Sequence, residues 1–379
     1  MTRAAAITRP DLLKFRLLSE GIAISADARI RLDELRGERD LTPADYASTT
    51  GLILRLEDDV WVNAPFGDFN PEFVHSPQSQ LRLDESGAFR VECDEMSSRA
   101  WVWLPPRYHG RRLSCGLPAN DFVFTHGDRV RLAPIGGCAL GCRFCGISYE
   151  DDYRLKPVGA MIEALRLALS DPLQPARHVL ISGGTPVPSD VPYLRAVYER
   201  VLEAFPEVDV DIMMGPVEGL FDLGRLKELG LNELSVNIEL VNHEISRELM
   251  PQKHRWGMDR YLALISQAAE VLGPGKVRSM LLVGLEPAED TLAGVRAVLD
   301  AGGTPVLSPF RPDGATPLRG VAPLSAQDLL TIYTEAADMA RQVGTQLGPT
   351  CPPCTHNTLT LVRPGRGEAS YRYPAPVLV

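Results

Sequence analysis

From about Arg129 onward the chain alternates short, continuously apolar runs with amphipathic helical patterns. The runs are VRLAPIG, HVLISGG, VDVDIMMG, ELSVNIEL, VRSMLLVG and TPVLSPF. A strand apolar on both faces has to be covered on both faces, which is the signature of a parallel sheet clothed in helices. The intervening segments supply those helices, as in 159-GAMIEALRLALSD-171 and 256-WGMDRYLALISQAAEVLG-273. In the second, Leu262, Ile265, Ala268, Ala269 and Leu272 recur at three and four, with Gly273 placed as a C-cap. Ser325 and Asp328 form a capping pair ahead of 329-LLTIYTEAADMARQVG-344. Six βα units are clear, and a seventh strand is expected near 346–350. The fold class is therefore α/β, a partial (βα)6–7 TIM-like barrel over residues 126–350.

Residues 1–125 read differently. Helical patterns near 11–21 and 28–38 lead into segments of period-two alternation at 52–62, 81–93 and 100–105, with a hairpin turn at Ser86-Gly87. This predicts an N-terminal, mainly antiparallel β module, with Trp61, Trp101 and Trp103 in its core. Residues 351–379 form a third segment, a tail that carries a Cys-x-x-Cys pair. The net charge of −10 argues against a nucleic-acid partner. No apolar run has the length of a membrane span and the N-terminus lacks a signal-peptide core, so no membrane partner and a cytoplasmic location are expected. Seven cysteines, an odd and clustered set, suit metal ligation better than a disulfide framework.

Three of those cysteines, Cys138, Cys142 and Cys145, fall in 136-GGCALGCRFCGISY-149. This loop follows the first barrel strand, at the edge where barrel active sites form. Three thiolates hold three irons of a 4Fe–4S cluster and leave the fourth open. Gly136, Gly137, Gly141 and Gly146 let backbone wrap such a group closely. A zinc knuckle completed by a remote residue is the competing reading.

The spacing C-x3-C-x2-C, with Phe144 before the last cysteine, resembles the signature of the radical S-adenosylmethionine (SAM) superfamily. The resemblance implies a 4Fe–4S cluster whose open iron chelates SAM and cleaves it to a 5′-deoxyadenosyl radical. It continues in order along the barrel. The segment 181-ISGGTP-186, with Ser182, Gly183 and Gly184, is similar to the family's glycine-rich contact to the methionine amino group. In 235-SVNIEL-240, Asn237 and Glu239 stand on one strand face and correspond to the ribose-binding pair of biotin synthase. Arg247 is placed to meet the methionine carboxylate. Val283 and Gly284, in 278-RSMLLVGLEP-287, resemble the adenine-binding segment of biotin-synthase-like members. A plain turn at the glycines, an internal hydrogen bond at Asn237 and a surface ion pair at Arg247 are the structural alternatives.

The chain departs from biotin synthase where that enzyme holds its second, sacrificial cluster. Ser182, a residue near Met213, and Arg278 stand there, without the cysteine ligands, which speaks against biotin formation. Another pair, Cys351 and Cys354 in 348-GPTCPPCTHNTL-359, brackets two prolines and precedes His356. Three readings stay open for it: a second Fe–S cluster completed by Cys93 or Cys115, a redox or zinc pair, or two metal-free thiols. Arg311 and Asp313, on the sixth βα loop, are the candidate catalytic or substrate-pocket residues. Lys253, His254 and Arg255 either bind an anionic substrate or form a solvated face. His109 and His126 either line a lid or lie on the surface.

These readings converge on a radical SAM enzyme that abstracts hydrogen from a small organic substrate, in specialised metabolite or cofactor biosynthesis. The resemblance also implies an electron donor such as flavodoxin or ferredoxin. Sulfur insertion using an auxiliary cluster at Cys351 and Cys354 is an alternative. A non-catalytic Fe–S or zinc protein is the alternative from another class.

Overall fold

The computed structural model describes residues 6–36, 51–362 and 378–379. Most of the expected tail, 363–377, and the end of the second helical pattern, 37–38, thus lie outside the described residues.

The N-terminal module comprises helices α1 (Arg9–Glu20) and α2 (Ala26–Arg36) and strands β1 (Ala23–Ile24), β2 (Gly51–Leu56), β3 (Val60–Pro65), β4 (Gln80–Leu83), β5 (Phe89–Cys93) and β6 (Met96–Val102). They form one sheet in the order β1-β4-β5-β6-β2-β3, antiparallel except where β1 meets β4. Strand β5 shows why: Phe89, Val91 and Cys93 are buried while Arg90 and Glu92 between them are not. The β4–β5 turn runs through Asp84, whose carboxylate accepts from the backbone N–H of Ser86 and Ala88, and Gly87 takes the left-handed φ of +80° that closes it. Trp61 and Trp103 pack with Ile53, and Trp103 donates its ring N–H to Gly127 O at 2.9 Å, joining module to barrel. Trp101 instead lies under the guanidinium groups of Arg55 and Arg99.

The barrel sheet contains β7 (Val123–His126), β8 (Arg129–Leu132), then, after the short pair β9 (Ile135–Gly136) and β10 (Arg154–Leu155), β11 (His178–Ile181), β12 (Asp209–Met213), β13 (Leu231–Ser235), β14 (Val277–Val283) and β15 (Thr304–Pro309). Its order is β15-β14-β13-β12-β11-β8-β7. From β8 to β15 every pairing is parallel, as the six apolar runs require. The helices are α3 (Ile147–Glu150), α4 (Val158–Leu169), α5 (Val191–Ala204), α6 (Leu223–Glu228), α7 (His243–Leu249), α8 (Pro251–His254), α9 (Met258–Leu272), α10 (Ala288–Asp300) and α11 (Ala326–Gln342). The Ser325 side chain caps α11 by accepting from Asp328 N, and Gly273 ends α9 at φ +100°. No helix among the described residues is long and apolar enough to cross a membrane.

The seventh strand differs from the expectation. Residues 346–350 form no strand; the seventh is β7, antiparallel to β8 at the opposite edge. Leu347 is buried as a strand residue would be, but Pro349 has no N–H to give a ladder. The segment instead covers the β15 edge with isolated bonds, Gly348 N to Pro305 O and Leu359 N to Leu307 O, each 2.9 Å.

Strand alternation sorts side chains between the helical coat and the concave interior. On β8, Val130 and Leu132 join the main core, leaving Arg129 and Arg131 on the other face. By the same period His178 and Leu180, Asp211 and Met213, and Arg278 and Met280 share that interior face. A parallel strand carrying charge on its inner face has to find partners there.

Candidate functional site

The cysteine loop sits at the C-terminal ends of the strands and is fastened to the segment after β11. Thr185 N donates to Cys138 Sγ at 3.2 Å, Leu140 N to the same sulfur at 3.3 Å, and Ala139 N to Thr185 O at 3.0 Å. This fastening requires glycine twice. A Cβ on Gly184 would stand 1.8 Å from Gly137 O, and Gly137 itself has φ +59° with the Asp151 carbonyl against it. Cys138, Cys142, Phe144 and Cys145 lie in an apolar cluster with Leu140, Leu240, Leu249, Met250, Phe310 and Leu318. Burial pushes the Cys142 thiol up to about 12 and raises that of Cys145. Thiolates are unfavourable in such surroundings unless a metal takes their charge, and backbone N–H groups aimed at sulfur are what an Fe–S cluster uses. The three loop sulfurs do not converge around a single-ion position among the described residues. This donor set, thiolate-only and spread out, fits a cluster.

The residues expected around SAM divide. Ser182, Gly183 and Gly184 lie beside the loop, with Gly183 at φ +138° and Ser182 Oγ 3.5 Å from Met213 Sδ. Asn237 accepts from Ser235 Oγ at 2.8 Å and from Met280 N at 3.2 Å. Glu239, at the left-handed φ of 71°, accepts from Lys253 Nζ at 2.7 Å. Burial works against the Lys253 charge, but Glu239 and Cys142 outweigh it and raise its pKa. Lys253 thus lies off the solvated face that was one of its two expected settings and stands beside the cysteine loop. Val283 is buried at the end of β14, and Gly284 follows at φ +108°. Arg247 is not brought to this group: it lies on the exposed side of α7, paired with Glu244. The glycine turn, the buried carboxylate and the adjoining apolar cluster fit a small polar cofactor at the mouth.

Below the mouth the interior is cationic. Arg131 is half-buried with its Nε shielded from solvent, close enough to Cys145 to feel its charge, and no carboxylate among the described residues pairs with it. Among the described residues Arg311 donates to neutral acceptors, Asn63 O at 3.3 Å and Asn357 Oδ1 at 3.0 Å, and burial lowers its pKa to about 10. Arg131 Nε, Arg311 Nε, His126 Nε2 and His356 Nε2 are all buried without a partner. The two imidazoles stand 6.2 Å apart by ring centroid. Burial holds His126 well below its ordinary range and His356 down to about 3, so both are neutral and the positive charge belongs to the arginines. His126 and His109 are buried, not surface residues. Asp313 lies apart from Arg311, closing on Gly146 of the cysteine loop, where a Cβ would meet its carboxylate at 2.8 Å.

Cys351 and Cys354 lie at the other, N-terminal pole of the strands. Beside them stand Asp128, just before β8, and His178, which opens β11. The completing residues expected from the sequence, Cys93 and Cys115, are elsewhere: Cys93 is buried in the β module and Cys115 is exposed. Burial opposes the Cys354 thiolate, but the Cys351 hydrogen bond, Arg129 and His178 outweigh it and lower its pKa. Arg278 is held by Asp211 at 3.1 Å and Glu233 at 2.7 Å.

Asp128, His178 and Arg131 were not singled out as site residues by sequence reasoning, and His356 was noted only as following the Cys351 and Cys354 pair. The available signal was charge on the inner alternation of β8 and β11, in runs otherwise read as apolar.

The profile of the Radical SAM superfamily matches residues 132–308, which include the cysteine loop and the strands from β11 through most of β15. A curated relative from Carboxydothermus hydrogenoformans, described as a probable dual-specificity RNA methyltransferase RlmN, is 26% identical over 152 residues, covering 39% of this chain and 44% of that protein. The chain therefore spans less than half the length of that relative. Among solved structures, SuiB from Streptococcus suis aligns at TM-score 0.46 and 16% identity over 60% of this chain and 49% of that one. The FeFe-hydrogenase maturase HydG from Carboxydothermus hydrogenoformans aligns at TM-score 0.44 and 18% identity over 57% and 51%.

Proposed function

We propose that this chain is a radical SAM enzyme and that its substrate is a small anionic organic molecule held in the barrel interior by Arg131 and Arg311. A single observation carries this reading: two half-buried guanidinium groups, each with its Nε shielded from solvent and unpartnered, have no carboxylate partner among the described residues. A buried charge left unpaired costs several kcal/mol, and a bound carboxylate or phosphate removes that cost. Arginine suits the task, since its planar fork pairs with either group bidentately.

When bound at Cys138, Cys142 and Cys145, the cluster with SAM supplies a 5′-deoxyadenosyl radical able to take hydrogen from unactivated carbon. The chain's own residues do the rest. Thr185 N and Leu140 N stabilise negative charge on Cys138. Ser182 through Gly184, Asn237, Glu239, Val283 and Gly284 are the proposed SAM contacts, with Lys253 fixing the Glu239 carboxylate. The apolar cluster around the cysteines keeps water from the mouth, where a reactive radical has to be shielded. Arg131 anchors the anion within electrostatic reach of Cys145, which aims the substrate carbon toward the radical's origin. Neutral His126 and His356 offer unpartnered ring nitrogens to substrate hydroxyl or amine groups. The net charge of −10 and the interior position of the arginines favour a small molecule over a nucleic acid. Reduced cytoplasm and a flavodoxin- or ferredoxin-type electron donor complete the reading, as does a role in specialised biosynthesis.

The test has two readouts on anaerobically reconstituted protein. With SAM and a reductant, wild type forms 5′-deoxyadenosine and Cys142→Ala does not. In thermal unfolding, phosphate, pyrophosphate or citrate raises the midpoint beyond a matched chloride control, and Arg131→Gln abolishes the gain. Anions that act no differently from chloride, or equally on the variant, contradict the substrate class while leaving the SAM reaction standing.

A further inference from the structure

The lower pole of the barrel holds a second, independent donor set. Among the described residues, one ligand atom from each of Asp128, His178, Cys351 and Cys354 lies within 4.8 Å of the other three. Asp128 Oδ1 stands 3.5 Å from Cys351 Sγ, 3.7 Å from Cys354 Sγ and 3.5 Å from His178 Nε2. His178 Nε2 stands 3.3 Å from Cys354 Sγ and 3.9 Å from Cys351 Sγ. Ion-to-ligand lengths of about 2.0–2.3 Å put the corners of a tetrahedral zinc site roughly 3.3–3.8 Å apart. The observed separations bracket that spacing.

We infer that these four residues form a closed, mononuclear site for a zinc-class divalent ion, structural in role, at the pole opposite the cysteine loop. The spacing separates this from an auxiliary Fe–S cluster. Ligands on different irons are pushed apart by the iron–iron edge between them, whereas these four donors face one point. The donor chemistry agrees, because two thiolates, one imidazole and one carboxylate are a borderline-soft set that fills four positions and leaves none open for a substrate.

The surroundings are those of a built site. The Asp128 side chain is fully buried and Cys354 is 4% exposed. His178 directs its other nitrogen toward Asp211 Oδ2, 3.9 Å away, and Asp211 is itself fixed by Arg278 at 3.1 Å and Asn232 at 2.7 Å. Arg177 lies 3.9 Å from Asp128, offsetting the one negative charge left when two thiolates and a carboxylate meet a divalent ion. Two prolines between the cysteines pre-set the loop, and Gly127 packs so closely on Pro353 that a Cβ would meet it at 3.0 Å.

The function of such an ion follows from what it joins. Asp128 sits in the turn that leads into β8 and His178 opens the neighbouring strand β11, since Arg129 pairs with His178 in the sheet. Cys351 and Cys354 belong to the segment that covers the β15 edge and carries His356 and Asn357. The ion therefore fastens that segment across the interior and so holds Asn357 against Arg311. This inference does not depend on the radical reaction.

The test uses the full chain as Cys138→Ala/Cys142→Ala/Cys145→Ala, purified without reconstitution, so that loop iron does not contribute. Elemental analysis is expected to find about one zinc per chain, and cobalt(II) in its place to give the visible bands of a tetrahedral thiolate site. Adding Cys351→Ser and Cys354→Ser is expected to remove both signals. Should that fivefold variant fail to fold, the cobalt spectrum of the folded triple variant still decides. A triple variant that takes up no zinc or cobalt, or that carries iron with acid-labile sulfide, overturns the inference.

Discussion

Thr185 donates its backbone N–H to Cys138 Sγ at 3.2 Å, and the return bond from Ala139 N to Thr185 O makes the contact reciprocal. The cysteine loop and the Gly-Gly-Thr-Pro segment are therefore one unit, although forty-odd residues separate them in sequence. That unit tolerates no side chain at Gly184, whose Cβ would collide with the Gly137 carbonyl.

Gly184→Ala is accordingly expected to leave the barrel folded but to move the loop, lowering iron per chain and cutting 5′-deoxyadenosine formation by at least about tenfold. Gly159→Ala is the control. Its Cβ meets nothing within 4 Å in the first turn of α4, so cluster content should be unchanged and stability should rise by up to about 1 kcal/mol. Iron analysis and denaturant unfolding check both.

Lys253→Met leaves the Glu239 carboxylate buried without its cation. A broken buried pair of this kind costs about 3 kcal/mol, and converting the partner to a neutral group recovers much of it. Chemical denaturation under argon should therefore show Lys253→Met clearly destabilised, with Glu239→Gln/Lys253→Met closer to wild type. SAM binding should weaken in both. A double variant no better than the single removes the pairing argument.

Lys14 gives a pH dependence. It lies fully buried, with Nζ donating to Thr355 O at 3.0 Å and Thr360 O at 2.7 Å, and burial lowers its pKa from 10.5 to about 7. Between those values the unfolded chain keeps a proton that the folded chain has released, so stability rises as pH increases from about 7 toward 10. Below 7 both states are protonated and this contribution is flat. Urea midpoints for wild type and Lys14→Met across that range are expected to differ in slope, the variant losing the rise. Parallel slopes would show that Lys14 keeps its charge in the fold.

Much of this was readable in the sequence. Six strands followed from continuous apolar runs, because parallel strands covered on both faces leave that pattern. The α11 cap at Ser325 and the α9 stop at Gly273 followed from local chemistry. The strand at 346–350 failed because local apolarity says that Leu347 is buried, not that its neighbours find ladder partners. The lower-pole donor set was half visible: the spacing of Cys351 and Cys354 suits metal ligation, whereas Asp128, just before β8, and His178, at the start of β11, come from positions about fifty residues apart. Arg247 shows the converse, since position in the order of motifs did not bring its side chain to the mouth. Arg131 looked like ordinary polarity in VRLAPIG until the sheet showed which face it occupied.

The central claim is that three loop thiolates leave one metal position free for SAM. Electron paramagnetic resonance of the dithionite-reduced, reconstituted protein tests it directly, with and without SAM labelled with ¹⁵N at its amino group. The account predicts a cluster spectrum that shifts on addition of SAM and carries a hyperfine coupling to the label, lost in Cys145→Ala. A spectrum that SAM leaves unchanged, with no coupling to the label, would contradict it.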